Sequence, residues 1–319
     1  MKKYFVTGGA GFIGSHLVDR LLSQGHVVTA FDNLSTGQVR FLENAKASDQ
    51  FKLVEGDLRD LDTIKAAVGG HEAVFHLAAN ADVRFGLEHP DRDLQNNTIA
   101  TFNLLEAMRG AGIKTIAFAS TGSVYGEPDM IPTPEDCPFP VQTSLYAASK
   151  LAGEGLIAAY AAGYGFTAYI FRFVSILGDR YSHGHVFDFY RKLLADPMSI
   201  EVLGDGTQKK SYLFIQDCLD AIFTAMEGAR EPVNIFNLGH DDFCCVDDSL
   251  GWICQELGVN PRRKYTGGKR GWVGDSPFIL LDTDRIKSLG WSAKVSIQDA
   301  VLRTLRYLRE NQWLLEGRA

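Results

Sequence analysis

A glycine-rich segment near the N-terminus restricts the possible folds of this chain more than any other feature of the sequence. Residues 4–14 read YFVTGGAGFIG, so a run of β-branched and aromatic residues leads into Gly8, Gly11 and Gly14 and then into a helical pattern. Glycines at this spacing permit a tight turn, close approach of a pyrophosphate to the backbone, and close packing of the helix on the strand. The pyrophosphate then lies at the helix N-terminus, where unpaired N–H groups and the helix dipole favour negative charge. Because both flanking elements are present, the segment predicts a dinucleotide site, with a purely structural turn as the alternative.

Short apolar runs alternate with longer helical patterns through the first half of the chain, which is typical of βαβ units and a parallel sheet. We therefore predict an α/β fold with a Rossmann-type doubly wound parallel sheet over residues 1–175. The predicted strands are residues 4–7, 27–32, 51–55, 73–76, 115–119 and 167–173, and the predicted helices are residues 15–24, 91–109 and 144–162. One face of the second of these helices carries residues at helical spacing, namely Leu94, Thr98, Phe102 and Leu105.

The sequence changes character beyond the sixth predicted strand, where turn clusters separate shorter elements. These residues predict a smaller mixed α/β lobe over 176–319 that mainly binds substrate. Two of its segments, 212–215 and 233–238, are expected to return to the main sheet. The last predicted helix, over 296–311, buries apolar residues at helical spacing, namely Ile297, Val301, Leu305 and Leu308.

Composition and charge exclude several classes of protein. The 319 residues are 45% hydrophobic and 22% charged, as expected of a soluble globular protein, and the net charge of −7 argues against a dedicated nucleic-acid-binding protein. No run approaches the ~20 apolar residues that span a bilayer, and glycines interrupt the N-terminal apolar stretch too early for a signal peptide. Five cysteines without a CxxC pair fit reduced thiols in the cytoplasm rather than disulfides or a metal site. Among the histidines, His183 and His185 are expected to be solvated loop residues, and His76 a buried structural residue.

The acidic residue at the end of the second predicted strand indicates which dinucleotide binds. A carboxylate at Asp32 accepts hydrogen bonds from the ribose hydroxyls of adenosine and repels a 2′-phosphate, so NAD is favoured over NADP. No arginine follows it directly, since the next residue is Asn33. Asp57 lies just past the third predicted strand, at the sheet edge where ligands bind, and can hydrogen-bond the adenine. The alternative is that Asp57 caps the helix beginning near Leu61.

A tyrosine and a lysine four residues apart form the candidate catalytic pair. The run Tyr146-Ala-Ala-Ser-Lys150 places a phenol and an ammonium on one face of a predicted helix. A nearby cation favours the phenolate and lowers the pKa of a tyrosine, so Tyr146 can act as general base on a substrate hydroxyl. Residues 120–123 read STGS after the fifth predicted strand, and Thr121 can hydrogen-bond the same hydroxyl. YxxxK alone is common on solvated helix faces, but here it follows the glycine-rich turn and the hydroxyl run.

Together these motifs resemble the extended short-chain dehydrogenase/reductase family, and within it the nucleotide-sugar epimerases of the UDP-glucose 4-epimerase type. The resemblance rests on TGGAGFIG, Asp32, HLAA at 76–79, the hydroxyl run before VYG at 124–126, and YxxxK. It covers the whole chain, with further matches at Asn97, GDGTQ (204–208), Asp217 and FNLG (236–239). The resemblance implies that NAD is contacted by Gly8, Gly11, Phe12, Ile13, Gly14, Asp32, Asn33, Asp57, Leu58, Leu77, Ala78, Ala79, Asn97, Tyr146 and Lys150.

The resemblance also implies a transient oxidation of the substrate. Tyr146 takes the proton from the C4 hydroxyl of a nucleoside-diphosphate sugar while hydride passes to the nicotinamide. The 4-keto intermediate then turns, and hydride returns to its other face. Thr121 shares the hydrogen bond to O4, and Lys150 also holds the nicotinamide ribose. A homodimer through the mid-chain and YxxxK helices is implied as well, and the second helix has apolar positions that permit it, namely Leu151, Leu156 and Ala159.

Two positions separate this chain from the dehydratases of the same family. Those enzymes need an acid and a base for loss of water and normally carry carboxylates after the threonine, in a Thr-Asp-Glu run. Gly122 and Ser123 stand there instead. We therefore expect NAD-dependent C4 epimerisation of a nucleoside-diphosphate sugar. The alternatives are an NAD(P)-dependent nucleotide-sugar reductase or dehydrogenase, a 4,6-dehydratase, and a cofactor-sensing regulator without catalysis. A net reductase consumes NAD(P)H, whereas an epimerase recycles its NAD.

Other departures from the family pattern concern the substrate. Ser175 stands where family members often have an asparagine that contacts the sugar diphosphate, and Ser123 is a further predicted substrate contact. Lys210 stands where an arginine after GDGxQ usually pairs with phosphate. Lysine supplies charge without a bidentate fork, and the alternative is that Lys210 and its neighbour Lys209 are simply solvated.

Residues 270–275, RGWVGD, resemble the nucleotide-binding stretch near the end of some family members. Arg270 can pair with the diphosphate, and Asp275 is a further predicted substrate contact. Trp272 can stack on a base or sugar, or it can pack inside the lobe.

Overall fold

The glycine-rich turn joins the first strand to the first helix. Strand β1 spans Lys3–Thr7, and helix α1 spans Phe12–Ser23 with Gly11 at its N-terminal cap. After the helix, Gly25 adopts a φ of 77° and turns the chain toward the next strand. The structure is a computed structural model that describes residues 1–80, 88–138, 141–272 and 274–316.

The six strands predicted for the first half are confirmed, with ends that differ by at most two residues. The described strands are β1, β2 (Val27–Asp32), β3 (Phe51–Glu55), β4 (Ala73–His76), β5 (Thr115–Thr121), β6 (Thr167–Phe173), β7 (Ser175–Leu177), β8 (Ser199–Val202), β9 (Lys209–Lys210), β10 (Tyr212–Phe214), β11 (Val233–Leu238), β12 (Cys244–Cys245), β13 (Arg262–Tyr265) and β14 (Phe278–Ile279). The described helices are α1, α2 (Glu43–Lys46), α3 (Leu61–Val68), α4 (Pro90–Asp93), α5 (Ala100–Gly110), α6 (Leu145–Tyr164), α7 (His185–Ala195), α8 (Ile215–Gly228), α9 (Val246–Leu257), α10 (Asp284–Lys287), α11 (Ile297–Glu310) and α12 (Trp313–Glu316).

Seven strands form the main sheet, in the order β11-β6-β5-β4-β1-β2-β3. Strand β1 runs parallel to both neighbours, with Phe5 opposite Thr29 of β2 and Val74 of β4. Because the chain adds strands on both sides of β1, the sheet is doubly wound, and its switch point lies at the carboxyl ends of β1 and β4. This topology confirms the predicted Rossmann-type fold, and it places Thr7 and His76 at the edge where ligands bind in such sheets.

Helices α3, α5 and α6 pack beside one another and share a buried apolar core with the sheet. Ile64 of α3, Leu104 of α5 and Ile157 of α6 are each 0% exposed and belong to the same cluster as Phe5 of β1. Close packing of these side chains holds the three helices firmly on the sheet, and with them the polar residues at the ends of the helices and strands. The core therefore positions strand β5 and helix α6 relative to each other.

The helical stretch predicted over 91–109 is confirmed, but it is not a regular α-helix throughout. A π-helical turn at Leu94–Ile99 separates α4 from α5. A π turn has a wider spacing than the α-helix, which shifts the register of the residues beyond it. Leu94 and Phe102, predicted to share a face with buried Leu105, are 51% and 42% exposed.

By its internal contacts the chain divides into two units. The first unit comprises residues 1–126, 141–172 and 225–236, and the second comprises residues 127–140, 173–224 and 237–319. Strand β11 lies beside β6, which confirms that residues 233–238 return to the main sheet. Within the described ranges, none of the helices combines the length and the apolar character that crossing a bilayer requires.

The second unit contains short sheets and helices. Strand β10 pairs in parallel with β7, β13 pairs with β8, and β9 lies between β12 and β14. Residues 212–214 therefore do not join the main sheet, and that prediction is wrong. The reason is that helix α11 packs over β7 and β10 and buries the apolar side chains of β10 locally. Helix α11 follows the N-cap Ser296 and buries the four predicted residues, Ile297, Val301, Leu305 and Leu308.

Candidate functional site

The turn between β1 and α1 has the close packing that the glycine spacing predicts. Gly8 has a φ of 69°, and a Cβ atom there would lie 2.7 Å from the backbone nitrogen of Ala78. A Cβ atom at Gly14 would lie 2.0 Å from the carbonyl oxygen of Gly8. Gly11 caps α1 without a side chain, so the start of the helix is open to an anion. The residues present therefore fit the pyrophosphate of a dinucleotide.

Asp32 ends strand β2 beside this turn. Its Oδ2 accepts a hydrogen bond from the backbone N–H of Ala10 at 2.9 Å, and its Oδ1 accepts one from Leu34 at 2.9 Å. The carboxylate is only 8% exposed, and burial raises the pKa of Asp32 against these two hydrogen bonds. Two backbone donors fix the carboxylate at the place where an adenosine ribose binds in this fold.

Asp57 does not cap the following helix, so that alternative is wrong. The cap of α3 is Asp60, whose side chain accepts from the backbone N–H groups of Asp62 and Thr63. Asp57 instead receives the guanidinium of Arg59, with Nη2 2.6 Å from Oδ2, and the side-chain amide of Asn33 at 3.2 Å. The hydrogen bond from Arg59 is the main cause that lowers the pKa of Asp57 to about 2.

The loop after β4 is tied to both β1 and helix α6. His76 is 0% exposed and hydrogen-bonds through its two ring nitrogens to the hydroxyls of Thr7 (2.8 Å) and Thr101 (2.9 Å). This confirms its structural role. Asn97 accepts from the backbone N–H of Asn80 at 2.8 Å and donates to the Ser149 hydroxyl at 2.8 Å. Leu77, Ala78 and Ala79, which the resemblance assigns to NAD, lie half-buried in this loop.

Strand β5 and helix α6 bring the predicted catalytic residues together. Helix α6 begins after Ser144, whose hydroxyl accepts from the backbone N–H of Ala147. Tyr146 and Lys150 lie one turn apart, and the Tyr146 hydroxyl is hydrogen-bonded to that of Thr121 at the end of β5. The phenol is therefore placed against a second hydroxyl, as general base catalysis on an alcohol requires.

Burial dominates the electrostatics of this pair. It raises the pKa of Tyr146 to about 12, and the hydrogen bond from Thr121 only partly opposes it. Burial also lowers the pKa of Lys150 to about 7. The ammonium donates to the carbonyl oxygen of Ala119 at 2.7 Å and lies 4.8 Å from the centre of the Phe118 ring. Burial therefore outweighs, in the pKa of Tyr146, the lowering that a nearby cation is expected to give.

Lys210 is largely shielded from solvent, with its side chain 15% exposed, and it forms an ion pair within the second unit. Its Nζ lies 2.6 Å from Oδ1 of Asp275 and also donates to the carbonyl oxygen of Ser276. The other carboxylate oxygen of Asp275 accepts from the backbone N–H of Gly271 at 2.9 Å. Two predicted substrate contacts therefore pair with each other, because both side chains are buried. Its neighbour Lys209 is exposed, as the alternative of a solvated lysine predicts, and its Nζ lies 5.1 Å and 5.4 Å from the centres of the Phe243 and Phe278 rings.

The other predicted contacts of the second unit are accessible. Trp272 is 38% exposed, so part of its ring is accessible to a ligand, and Arg270 forms a partly exposed ion pair with Glu127 at 2.5 Å. Ser175 is exposed at the start of β7. His185 is not a solvated loop residue, because it begins α7, donates to or accepts from Ser249 at 2.8 Å, and stacks on a tyrosine ring.

Two charged residues near the catalytic pair were not predicted from the sequence. Glu154 follows Lys150 by one helical turn, and Arg172 interrupts the apolar strand β6. They form a buried ion pair at 2.7 Å. The signal was present in the sequence, because a charge inside a buried strand needs a partner, and Glu154 shares a helix face with Tyr146 and Lys150.

Comparison with known proteins gives a consistent family. The family model described as NAD dependent epimerase/dehydratase family matches residues 4–239. A UDP-glucose 4-epimerase from Mycolicibacterium smegmatis is 34% identical over 310 residues, which cover 95% of this chain and 97% of that protein. The crystal structure of a Thermus thermophilus UDP-glucose 4-epimerase in complex with NAD is 29% identical, covers 96% of this chain and 99% of that chain, and superposes with a TM-score of 0.85. The crystal structure of a double mutant of a dTDP-glucose 4,6-dehydratase from Streptomyces venezuelae with bound NAD is 27% identical, covers 97% of this chain and 98% of that chain, and has a TM-score of 0.88.

The chain therefore belongs to the NAD-dependent epimerase/dehydratase family. The predictions of NAD as cofactor and of a nucleotide-sugar epimerase are confirmed at this level. The similar TM-score of the dehydratase shows that the two enzyme classes share this fold, whereas the curated relatives at 31–34% identity are UDP-glucose 4-epimerases. The residues after Thr121 bear on the choice between the two classes.

Proposed function

We propose that this protein epimerises a nucleoside-diphosphate sugar at C4, with the UDP-glucose/UDP-galactose pair as the first substrate to test. The observation that carries the proposal is the hydrogen-bonded pair Thr121 and Tyr146 beside Lys150, without a carboxylate at Gly122 or Ser123. An acid and a base for loss of water are thereby missing from the positions that dehydratases use. A hydroxyl, a phenol and an ammonium suffice for reversible oxidation of an alcohol.

The residues of the first unit act on the C4 hydroxyl and its proton. When bound, NAD supplies a reversible acceptor for hydride. Tyr146 takes the hydroxyl proton as C4 becomes a ketone, and returns it when the 4-keto sugar is reduced on its other face. Thr121 holds the same oxygen through its hydroxyl. Lys150 binds the nicotinamide ribose, and with a pKa of about 7 it exchanges a proton readily near neutrality.

The proposed cofactor contacts follow the geometry of the first unit. Gly8, Gly11 and Gly14 with the start of α1 receive the pyrophosphate, and Asp32 receives the adenosine ribose. Asp57 accepts from the adenine. In the second unit we propose that Arg270 pairs with the substrate diphosphate and that Trp272 stacks on the base or sugar.

We also propose a homodimer. The proposal is supported by apolar side chains that are exposed on the π turn and on α5. Leu94, Ile99 and Phe102 are 51%, 37% and 42% exposed there. Leu156, on helix α6, packs against the core instead. Replacing Phe102 with aspartate is expected to give monomers in sedimentation velocity, and an unchanged species would reject this surface as the interface.

A cytoplasmic location is proposed from the thiols. All five cysteines are free, including the partly exposed Cys137 and Cys245, as is usual in reducing compartments.

The test of the proposed function uses purified protein without added cofactor and a panel of UDP-, GDP-, CDP- and dTDP-sugars. NMR follows the sugars, and absorbance follows the nicotinamide. We expect interconversion of C4 epimers with no net change in nicotinamide absorbance, and its loss in Tyr146→Phe. A 4-keto-6-deoxy product, or turnover only with added NAD(P)H, would reject the proposal in favour of a dehydratase or a reductase.

A further inference from the structure

The first unit contains a buried ion pair that touches neither the glycine turn nor the Thr121–Tyr146 pair. Arg172 of β6 is 1% exposed and Glu154 of α6 is 5% exposed, with Nη2 of the arginine 2.7 Å from Oε2 of the glutamate. Nε of Arg172 also donates to Oε1 of Glu154 at 3.1 Å, and Nη1 donates to the Tyr125 hydroxyl at 2.6 Å. Removing two charges from water is costly, so a buried pair of this kind is weak evidence for stability. Its position gives it another role.

Glu154 joins the catalytic helix to the catalytic strand. Tyr146, Lys150 and Glu154 occur at intervals of four residues and therefore lie along one face of α6. Each contacts one of three consecutive residues at the end of β5, in the pairs Tyr146 with Thr121, Lys150 with Ala119, and Glu154 with Ser120. The third contact is fixed from the other side by Arg172. Three side-chain contacts therefore hold α6 against the end of β5, and the ion pair with Arg172 fixes the residue that makes the third of them.

We propose that Glu154, held by Arg172, is a positioning residue for the epimerisation: its carboxylate holds α6 on β5 and favours the protonated form of Lys150. This inference rests on the proposed function, because that reaction is what the lysine serves. Opposite charges one turn apart on a helix attract each other, and the buried surroundings strengthen the attraction.

The charges around Lys150 support this assignment. The carboxylates of Glu154 and Asp93 both raise the pKa of Lys150 against the effect of burial, and Glu154 has the larger effect. Within the described ranges, the other titratable groups near the ammonium are Tyr146 on the same helix and His76 at the end of β4. Burial lowers the pKa of His76 to about 3, so this imidazole is neutral at physiological pH. Glu154 is therefore the main charge that favours the ammonium form.

The first test is Glu154→Gln in the intact protein with NAD bound. The variant keeps the shape of the side chain and an acceptor for Ser120, but it removes the charge. We expect the pKa of Lys150 to fall by about one unit or more, since loss of a nearby opposite charge has effects of that size. It is measured by NMR of protein with ¹³C-labelled lysine, with the Lys150 signal assigned from Lys150→Met.

The kinetic consequence depends on pH. One unit in the pKa of Lys150 changes its protonated fraction about tenfold above that pKa. At about pH 8 we expect kcat to fall about tenfold, with KM for the nucleotide sugar unchanged, and at about pH 6 the loss is expected to shrink to about twofold. A purely structural role would lower activity without this dependence on pH.

A double variant separates positioning from stability. Glu154→Gln leaves Arg172 buried without its counter-charge, which destabilises the fold. Glu154→Gln/Arg172→Met removes both charges and is expected to recover the Tm while Lys150 keeps its lowered pKa and kcat stays low. The matched control is Tyr160→Phe, which removes a 2.6 Å hydrogen bond to a carboxylate from the same helix and should leave kcat and the pKa of Lys150 unchanged.

Wild-type kcat and pH profile in the double variant would overturn the proposal, as would an unchanged pKa of Lys150 in Glu154→Gln. These failures are distinct from failure of the proposed function. If the wild type converts no nucleotide sugar, the proposed function is wrong, and the NMR titration of Lys150 still decides whether Glu154 controls it.

Discussion

Lys150 of the first unit and Lys210 of the second unit are both shielded from solvent, but they have different partners. In the first unit, Nζ of Lys150 donates to the carbonyl oxygen of Ala119 at 2.7 Å and lies over the ring of Phe118. In the second unit, Nζ of Lys210 lies 2.6 Å from the carboxylate of Asp275. Burial lowers the pKa of both lysines.

The different partners of the two lysines indicate which of the two ammonium groups can exchange a proton during a reaction. The charge of Lys210 is balanced by direct contact with Asp275, and this contact links β9 to Asp275 and, through its other carboxylate oxygen, to Gly271. Lys150 has neutral partners in direct contact, and its nearest acidic neighbour on the helix, Glu154, is already paired with Arg172. A lysine in the second situation can gain or lose a proton without breaking an ion pair. We therefore interpret Lys150 as a residue that takes part in catalysis and Lys210 as a residue that stabilises the fold.

The largest expected effect comes from Lys150→Met. This change should lower kcat by about 10²–10⁴-fold, the range typical of a lost acid–base group. The protein should remain at least as stable as the wild type, because an apolar side chain replaces a buried ammonium. Activity assays and thermal unfolding of the same preparation measure both effects. If kcat of Lys150→Met stays within a few-fold of the wild-type value, Lys150 is not a catalytic residue and does not differ from Lys210 in its role.

Lys210→Met should show the opposite pattern. Loss of one partner leaves Asp275 as an uncompensated buried carboxylate, so the free energy of unfolding should fall by ~3 kcal/mol. KM for the nucleotide sugar should rise while kcat stays close to the wild-type value. Lys210→Arg, which keeps the charge, is the control and should be the milder change. A selective loss of kcat in Lys210→Met would contradict the structural role.

The third prediction concerns pH and stability. Lys150 has a pKa of about 7 in the folded chain against a usual value of 10.5, so between these pH values the unfolded chain binds more protons. The stability of the wild type should therefore rise with pH relative to Lys150→Met, by up to about 1.4 kcal/mol per pH unit. Below pH 7 the lysine is charged in both states, and the difference should become constant. Denaturant unfolding of both proteins at several pH values measures the slope, and a flat difference would show that burial does not perturb Lys150.

The smallest effects are expected at the adenosine end of the first unit. Asp32→Asn should weaken NAD binding by about tenfold, the size of one charged hydrogen bond, whereas Asp57→Asn should weaken it less because Arg59 already occupies that carboxylate. Calorimetric titration of cofactor-free protein with NAD gives both values. A larger loss for Asp57→Asn would reverse the assigned importance of the two carboxylates.

The sequence predicted those parts of the molecule whose structure depends on residues close together in the chain. The glycine spacing gave the turn between β1 and α1, the apolar runs gave the strands of the main sheet, and the four-residue interval placed Tyr146 beside Lys150. The hydroxyl run after β5 predicted that Thr121 lies near Tyr146, and the two side chains are hydrogen-bonded to each other. In each case the pattern lies within one element or at one junction, where sequence spacing translates directly into geometry.

The errors arose where partners are distant in sequence. The pairing of Lys210 with Asp275 was not predicted, because Asp275 lies 65 residues later in the chain. The π turn at Leu94–Ile99 depends on the contacts of Asn97 with the loop at Asn80 and with Ser149, none of which helical periodicity reveals. Asp57 was a candidate cap because it lies near α3, but Asp60 has the required position.

The most direct test of the account follows the hydrogen at C4. UDP-glucose carrying deuterium at C4 is incubated with the protein in ordinary water, without added NAD(P)H, and the UDP-galactose that forms is analysed by mass spectrometry and NMR. If Tyr146 and Lys150 serve a transient oxidation, the deuterium leaves C4 and returns to it, so the product retains the label and Tyr146→Phe forms none. Replacement of the label by solvent hydrogen at C4 would contradict a 4-keto route, and with it the central claim about these two residues.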